Sequence, residues 1–316
     1  MNAGLVLTGG GARGAYQAGA IARIVESPFR PALLAGSGIG AVNAALFASG
    51  RDPRAGAASL RAAWRELGGE QIMIPSAEAL ATLVKAIVTR SASELATLEP
   101  LFDPEPVERV LRRYVDPRAV RRGLPVWVTV ARAAQLAPKF DKLASTAIVT
   151  ATSTVEWVRI NDVDDDEAII EYLLASVAFQ FAFPSRTIGD HRYASATIRE
   201  NVPVRALAQN GCTHAVVVHL QNGSVWRRAQ FPDLSIIEIR PRQPLVDPES
   251  PLVGWLRSTA DFSAAHIAEL DECGYRDADA VLAAIDALSA QSASRRRART
   301  DMLAALEGVS KPGEEE

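Results

Sequence analysis

Cysteine, histidine, long apolar runs and an excess of charge of either sign are all missing or scarce here, and each shortage excludes something. Two cysteines in 316 residues, Cys212 and Cys273, cannot build a disulfide framework and lack metal-ligand spacing. They read as small buried hydrophobes and fit a reducing compartment. The four histidines are scattered, which leaves no ready base beside a serine. A net charge of −3 gives no field over the whole molecule that would favour nucleic acid or an acidic substrate. Nowhere do about eighteen apolar residues run without a charge, so no transmembrane helix is expected. No basic, then apolar, leader opens the chain, because Leu5 to Thr8 already read as a strand. The expectation is a cytoplasmic globular protein, with peripheral membrane contact as an option and with no cofactor, metal or nucleic-acid partner.

What is present is an alternation of strands and helices. With 48% apolar residues the chain can bury one large core or two modest ones. Gly4–Thr8 and Ala32–Ala35 read as buried strands, each leading through a glycine turn into a helix. Residues 57–67 predict a helix with Trp64 on its apolar side. Pro104 after Asp103 predicts another, running to about Tyr114. Val126–Ala131, Ser145–Thr150, Ala215–Leu220 and Ile236–Ile239 read as strands. Residues 76–100, Glu167–Phe179, Ala260–Leu270 and Asp277–Leu288 read as helices. This alternation predicts a three-layer α/β/α fold with a mostly parallel central sheet. One domain would cover 1–290. Residues 291–316 would form a basic-then-acidic tail carrying Arg295, Arg296 and Arg297, partly helical or disordered.

In such a sheet ligands sit beyond the carboxyl ends of the strands, so both glycine turns face one crevice. The first turn, Gly9-Gly10-Gly11-Ala12-Arg13-Gly14, would present bare backbone N–H groups at a helix N-terminus to negative charge, with Arg13 reinforcing it. A dinucleotide fold needs an acidic residue at the end of the second strand, and Ala35-Gly36-Ser37-Gly38 has none. The second turn, Gly36-Ser37-Gly38-Ile39-Gly40, has the outer glycines of a G-x-S-x-G nucleophile elbow but glycine at its centre.

The pair of turns carries a resemblance. Gly9 to Gly19 (GGGARGAYQAG), followed some twenty residues later by the Gly-x-x-x-Gly-Ala-x-Asn-Ala run ending at Ala44, resembles the patatin-like phospholipases. The likeness continues through Ala175-Ser176-Val177-Ala178, Phe183-Pro184 and Glu200-Asn201-Val202-Pro203-Val204, covering most of residues 3–220. The family resemblance implies a Ser–Asp dyad acting on lipid acyl esters, with the first turn as oxyanion hole. Carried over by motif, the nucleophile position is Gly38. The aspartate position is Ser195, six residues before Asn201, and Ala196 and Thr197 replace the motif's glycines. A hydrogen cannot attack a carbonyl, and a serine with no neighbouring base cannot take a proton near neutral pH. Glycine also reaches the elbow's strained backbone without penalty.

The expectation is therefore a catalytically dead lipid hydrolase homologue that binds an acyl or anionic lipid ligand or a protein partner. The alternative is an active hydrolase with a relocated serine. Ser176 and Ser185 lie near the crevice outside any elbow. Ser37 is one residue early, so its side chain should point away and bond local backbone unless it pairs with His191, in the loop before Ser195. A third reading is a nucleotide-phosphate binder. Asp162–Glu167 fails as a calcium loop, with Glu167 and Leu173 at its sixth and twelfth positions, and reads as a helix cap. Arg112, Arg113, Arg118, Arg121 and Arg122, with the tail arginines, could form a basic face toward anionic lipid headgroups, and residues 79–88 an apolar lid.

Overall fold

The computed structural model describes residues 2–69, 103–133, 153–179, 183–221, 226–246, 254 and 258–309. In chain order the strands are β1 (Ala3–Leu7), β2 (Leu33–Ser37), β3 (Val126–Arg132), β4 (Thr154–Arg159), β5 (Arg186–Ile188), β6 (His191–Ser195), β7 (His214–Val218) and β8 (Ser235–Ile239). The helices are α1 (Gly14–Ile24), α2 (Ile39–Ala48), α3 (Pro53–Leu67), α4 (Glu105–Tyr114), α5 (Pro117–Arg122), α6 (Asp166–Val177), α7 (Val204–Gln209) and α8 (Ala264–Val309).

All five residues of β1 and of β2 are buried, as strands covered on both faces must be. The sheet runs β5-β6-β3-β2-β1-β7-β8, and β4 adds to β3. Strands β3, β2, β1, β7 and β8 pair in parallel, whereas β4, β5 and β6 form an antiparallel flank. The parallel centre with helices on both sides is the expected three-layer class. The antiparallel flank is an addition to it.

Side chains divide by strand alternation into two cores. Leu5, Leu7, Leu34, Val128, Val130, Val216 and Val218 meet α1, α2, α3, α4, α6 and α8. Val6, Leu33, Ala35, Ala215, Val217 and Ile236 meet α7 and the aromatic group Trp127, Trp157, Trp226 and Phe231. Each fully buried Val or Leu contributes about 1.5–3 kcal/mol.

Helix starts follow local chemistry. Asp52 accepts from the Ala55 N–H ahead of Pro53, and Asp116 accepts from Arg118 and Ala119 N–H ahead of Pro117. Asp165 caps α6 through Glu167 and Ala168 N–H, the cap expected of the acidic run. One expectation fails at the C-terminal end, where α8 runs unbroken over 46 residues instead of forming two helices. Gly274 does not end a helix there. It lets α8 cross α1 closely, since a Cβ on Gly274 would lie 1.8 Å from Tyr16 O, and one on Gly19 would lie 1.7 Å from Asp271 O. Around this crossing Tyr16 donates to Asp277, and Arg23 and Arg61 pair with Asp279 and Asp271. The expected helix at 76–100, lid at 79–88 and strand at 145–150 lie outside the described residues.

Candidate functional site

Strand β3 brings the two halves of the site together. β4 occupies one edge of β3 from Trp127 to Arg132. The other edge is shared, β2 pairing at residues 126–129 and β6 at 130–132. Ser37 therefore lies opposite Thr129, and Ser195 opposite Val130, at consecutive register positions. Positions 38 and 195, some 160 residues apart in sequence, become neighbours through the backbone ladder alone.

Gly38 adopts φ 56° and ψ −129°, the strained strand-to-helix geometry that glycine tolerates and other residues pay for. The turn is tight on every side. A Cβ on Gly36 would lie 2.4 Å from Ala41 N, and one on Gly40 would lie 2.2 Å from Leu7 O. The Gly38 N–H donates to Ser176 Oγ at 3.0 Å, and the Ser176 hydroxyl donates onward to Thr129 O at 2.9 Å. Ser176, buried in α6, thus pins the elbow to β3. The Ser37 hydroxyl donates to Glu200 O at 2.8 Å, a backbone carbonyl as expected but 163 residues away rather than local. Burial raises the Glu200 carboxyl above its ordinary pKa, and Arg205 opposes the shift.

A Cβ on Gly38 would project toward the 195–197 loop, reaching Thr197 Oγ1 at 2.9 Å and Gly9 Cα at 3.3 Å. Thr197 Oγ1 in turn lies 2.7 Å from Ser195 Oγ, which also accepts from the Thr197 N–H at 3.3 Å. Ser195 is buried, whereas Thr197 is half-buried and reaches the surface. The same threonine crowds Gly9, whose Cβ would lie 2.8 Å from Thr197 Cγ2. Sequence reasoning noted Thr197 only as a lost glycine, and its packing between both turns needed the structure.

The first turn is tied down from behind. The Gly9 N–H donates to Asn201 Oδ1 at 2.7 Å, linking the glycine run to the Asn-x-Pro segment 192 residues later. Gly10 and Gly11 are half-buried, and among the described residues no acceptor faces their N–H groups. Gly11 has φ +62°, and its α face abuts Thr259. Ala12 is buried, and Gly14 packs tightly on Trp64 and Ile39. A buried polar chain joins the two turns' helices. Trp64 Nε1 donates to Asn43 Oδ1, Asn43 Nδ2 donates to Gln17 Oε1 and Gly14 O, and Gln17 Nε2 donates to Thr8 O.

Arg13 corrects an expectation. It is 1% exposed, and its guanidinium donates to Gly10 O, Leu220 O and Thr259 Oγ1 beneath the turn instead of facing the crevice. Burial lowers its pKa to about 10. It therefore braces the turn and contacts no ligand directly. The proposed basic face is reduced, because Arg112, Arg113 and Arg121 pair with Glu167, Glu66 and Asp166, while Arg118 and Arg122 are exposed. His191 opens β6, set edge-on to Tyr193, and Ser185 bonds with Arg192. His214 opens β7 and His219 follows its last residue. Burial and Arg240 lower the His219 pKa to about 3. Among the described residues no cluster of His, Cys, Asp or Glu has metal-binding geometry, and no helix is long and apolar enough to cross a membrane.

A tight strand–turn–helix elbow, a glycine-rich turn at a neighbouring helix and a loop converging on both define the scaffold of a serine acyl hydrolase. The model of the patatin-like phospholipases matches residues 5–208, and the chain belongs to that family. Among solved structures, VipD from Legionella pneumophila is similar, at a TM-score of 0.41 and 12% identity over 90% of this chain and 67% of that one. No curated protein matches.

Proposed function

We propose that this chain is a catalytically silent patatin-like protein that uses the former acyl-carbonyl end of its site to hold a lipid carboxylate. Gly38 stands at the nucleophile position and Ser195 at the aspartate position. The observation that carries this reading is Thr197, whose hydroxyl lies 2.9 Å from where a Cβ on Gly38 would be and 2.7 Å from Ser195. The space a nucleophile would use holds a neutral hydroxyl pair instead.

The chemistry left behind suits a free acid better than an ester. Ser195 and Thr197 own two O–H groups and spend one on each other, leaving one to donate. Gly10 and Gly11 add backbone N–H groups in an accessible turn, the oxyanion-hole role that the family resemblance implies. An aspartate at 195 would repel a carboxylate, whereas serine does not. The candidate relocated nucleophiles Ser37 and Ser176 both donate their hydroxyl protons to backbone carbonyls, which supports a silent site over a moved one.

The test is thermal unfolding with oleate, methyl oleate, ATP and NAD, beside labelling with a fluorophosphonate probe. Oleate should raise the midpoint, while the ester and both nucleotides should not. Serine-specific fluorophosphonate labelling, abolished by one substitution, would defeat the reading.

A further inference from the structure

The C-terminal half of α8 leaves the body of the protein. Up to Leu282 the helix packs against α1, with Ile267, Leu270 and Ala278 in the core. From Ala283 onward nearly every described side chain is exposed, over a helical stretch that extends to Val309, roughly 40 Å. Leu288, Met302 and Leu303 are 63%, 57% and 47% exposed, three of the four large apolar side chains so exposed among the described residues. Between Leu288 and Met302 lie Arg295, Arg296, Arg297 and Arg299, all exposed, and no acidic residue falls from Ala287 to Thr300.

Helical spacing puts these features together. Residues 288, 295, 299 and 302 follow steps of seven, four and three, so Leu288, Arg295, Arg299 and Met302 share one face, with Leu303 beside it. That mixture decides what the face fits. A second copy of the helix would set Arg295 and Arg299 against their own like charges in the middle of the seam. A lipid surface meets both needs: leucine and methionine enter the acyl boundary while long arginine side chains reach anionic headgroups.

We propose that the projecting half of α8 is an interfacial helix that docks the protein on anionic lipid bilayers. Arg295, Arg296, Arg297 and Arg299 supply the charge, and Leu288, Met302 and Leu303 supply the insertion. The α4–α5 arginines do not compete for this role, since three of them already face carboxylates. The surface is separate from the crevice and does not depend on what the crevice binds.

Flotation of the full chain with vesicles tests it, comparing phosphatidylcholine alone with phosphatidylcholine–phosphatidylglycerol mixtures. Binding should require the anionic lipid and weaken with salt. The R295Q/R296Q/R297Q/R299Q variant should lose more than about tenfold in partitioning, given the contribution of each arginine near such a surface. The corresponding quadruple lysine variant should retain it, and L288Q/M302Q should weaken it with far-UV circular dichroism unchanged. Equal binding to neutral vesicles, or full binding by the glutamine variant, would overturn the proposal. So would concentration-dependent dimerisation that consumes the Leu288–Met302 face, or tighter binding to duplex DNA than to anionic vesicles.

Discussion

Thr197 stands over Gly38: its hydroxyl oxygen occupies a point 2.9 Å from any Cβ that position 38 could carry. Real Cβ atoms do not approach neighbours so closely, so a serine at 38 must displace the threonine as well as accept φ 56°. Thr197 also touches the space beside Gly9, which makes it a wedge between both glycine turns. Glycine at 38 and the filling of the space beside it by Thr197 are then parts of one packing arrangement.

If the proposed silent site is right, building a working dyad takes three substitutions. G38S alone should destabilise by on the order of 2 kcal/mol from backbone strain and crowding. G38S/S195D should stay inactive toward p-nitrophenyl butyrate, because Thr197 still crowds the new serine. Adding T197G should raise hydrolysis by about 100-fold over the double variant, the scale of a working general base. Equal rates for the double and triple variants would show that Thr197 is not the obstacle.

The α1–α8 crossing gives a stability test of glycine as a packing residue. G274A would place a methyl 1.8 Å from Tyr16 O, a backbone atom that cannot swing away, and should cost about 3 kcal/mol or more in urea denaturation. G211A supplies the contrast. Gly211 has φ +72° but open space around it, so only backbone strain of about 1–2 kcal/mol should appear. A ranking of G211A as the more damaging change would contradict close helix approach as the role of Gly274.

Acid sensitivity should trace in part to His219. Its side chain is 2% exposed, stacked on Trp226, with Nε2 4.0 Å from Glu238 Oε2 and with Arg240 paired to the same carboxylate. The folded-state pKa is depressed to about 3, while the unfolded chain takes up the proton near the ordinary value of 6.5. Between those values the unfolded state binds more protons, so stability falls as pH drops through this window. From pH 7 to pH 5 the loss assignable to this residue should be about 2 kcal/mol. In H219Q that part of the slope should vanish, as read from urea midpoints at the two pH values. An identical slope in parent and variant would shift the effect to the carboxylates.

How much of this was legible in the sequence depends on how local each feature is. The elbow, the first glycine turn and the strands β1, β2, β3, β7 and β8 were readable because apolar runs and glycines a few residues apart specify them. The strands β4, β5 and β6 were not: TVEWVR, RTI and HRYAS mix polar and apolar residues without strict alternation, and β4 and β5 are mostly half-exposed. They matter, since β6 delivers Ser195 to the elbow. The break expected between the helices at 260–270 and 277–288 spans Gly274; glycine can end a helix or let two helices touch, and only the neighbour α1 distinguishes the two. Arg13 misled for a related reason: a cation beside an anion-binding turn can brace the turn from below as readily as face the ligand. Roles set by partners two hundred residues away, such as that of Asn201, leave no local trace.

Asn201 is where fold stability and the proposed ligand site meet. Its Oδ1 takes the N–H of Gly9, a buried donor at the root of the turn, whose next two N–H groups meet no acceptor among the described residues. N201A should leave that donor unpaired and cost about 1–3 kcal/mol. N201D keeps an acceptor at the same place and should recover much of the loss, while its charge beside the turn opposes an incoming carboxylate. The two variants should thus separate: N201A less stable than N201D in urea, yet N201D the one that abolishes stabilisation by oleate. If N201D gained as much from oleate as the parent does, carboxylate recognition at this turn would be excluded even with the hydrogen bond in place.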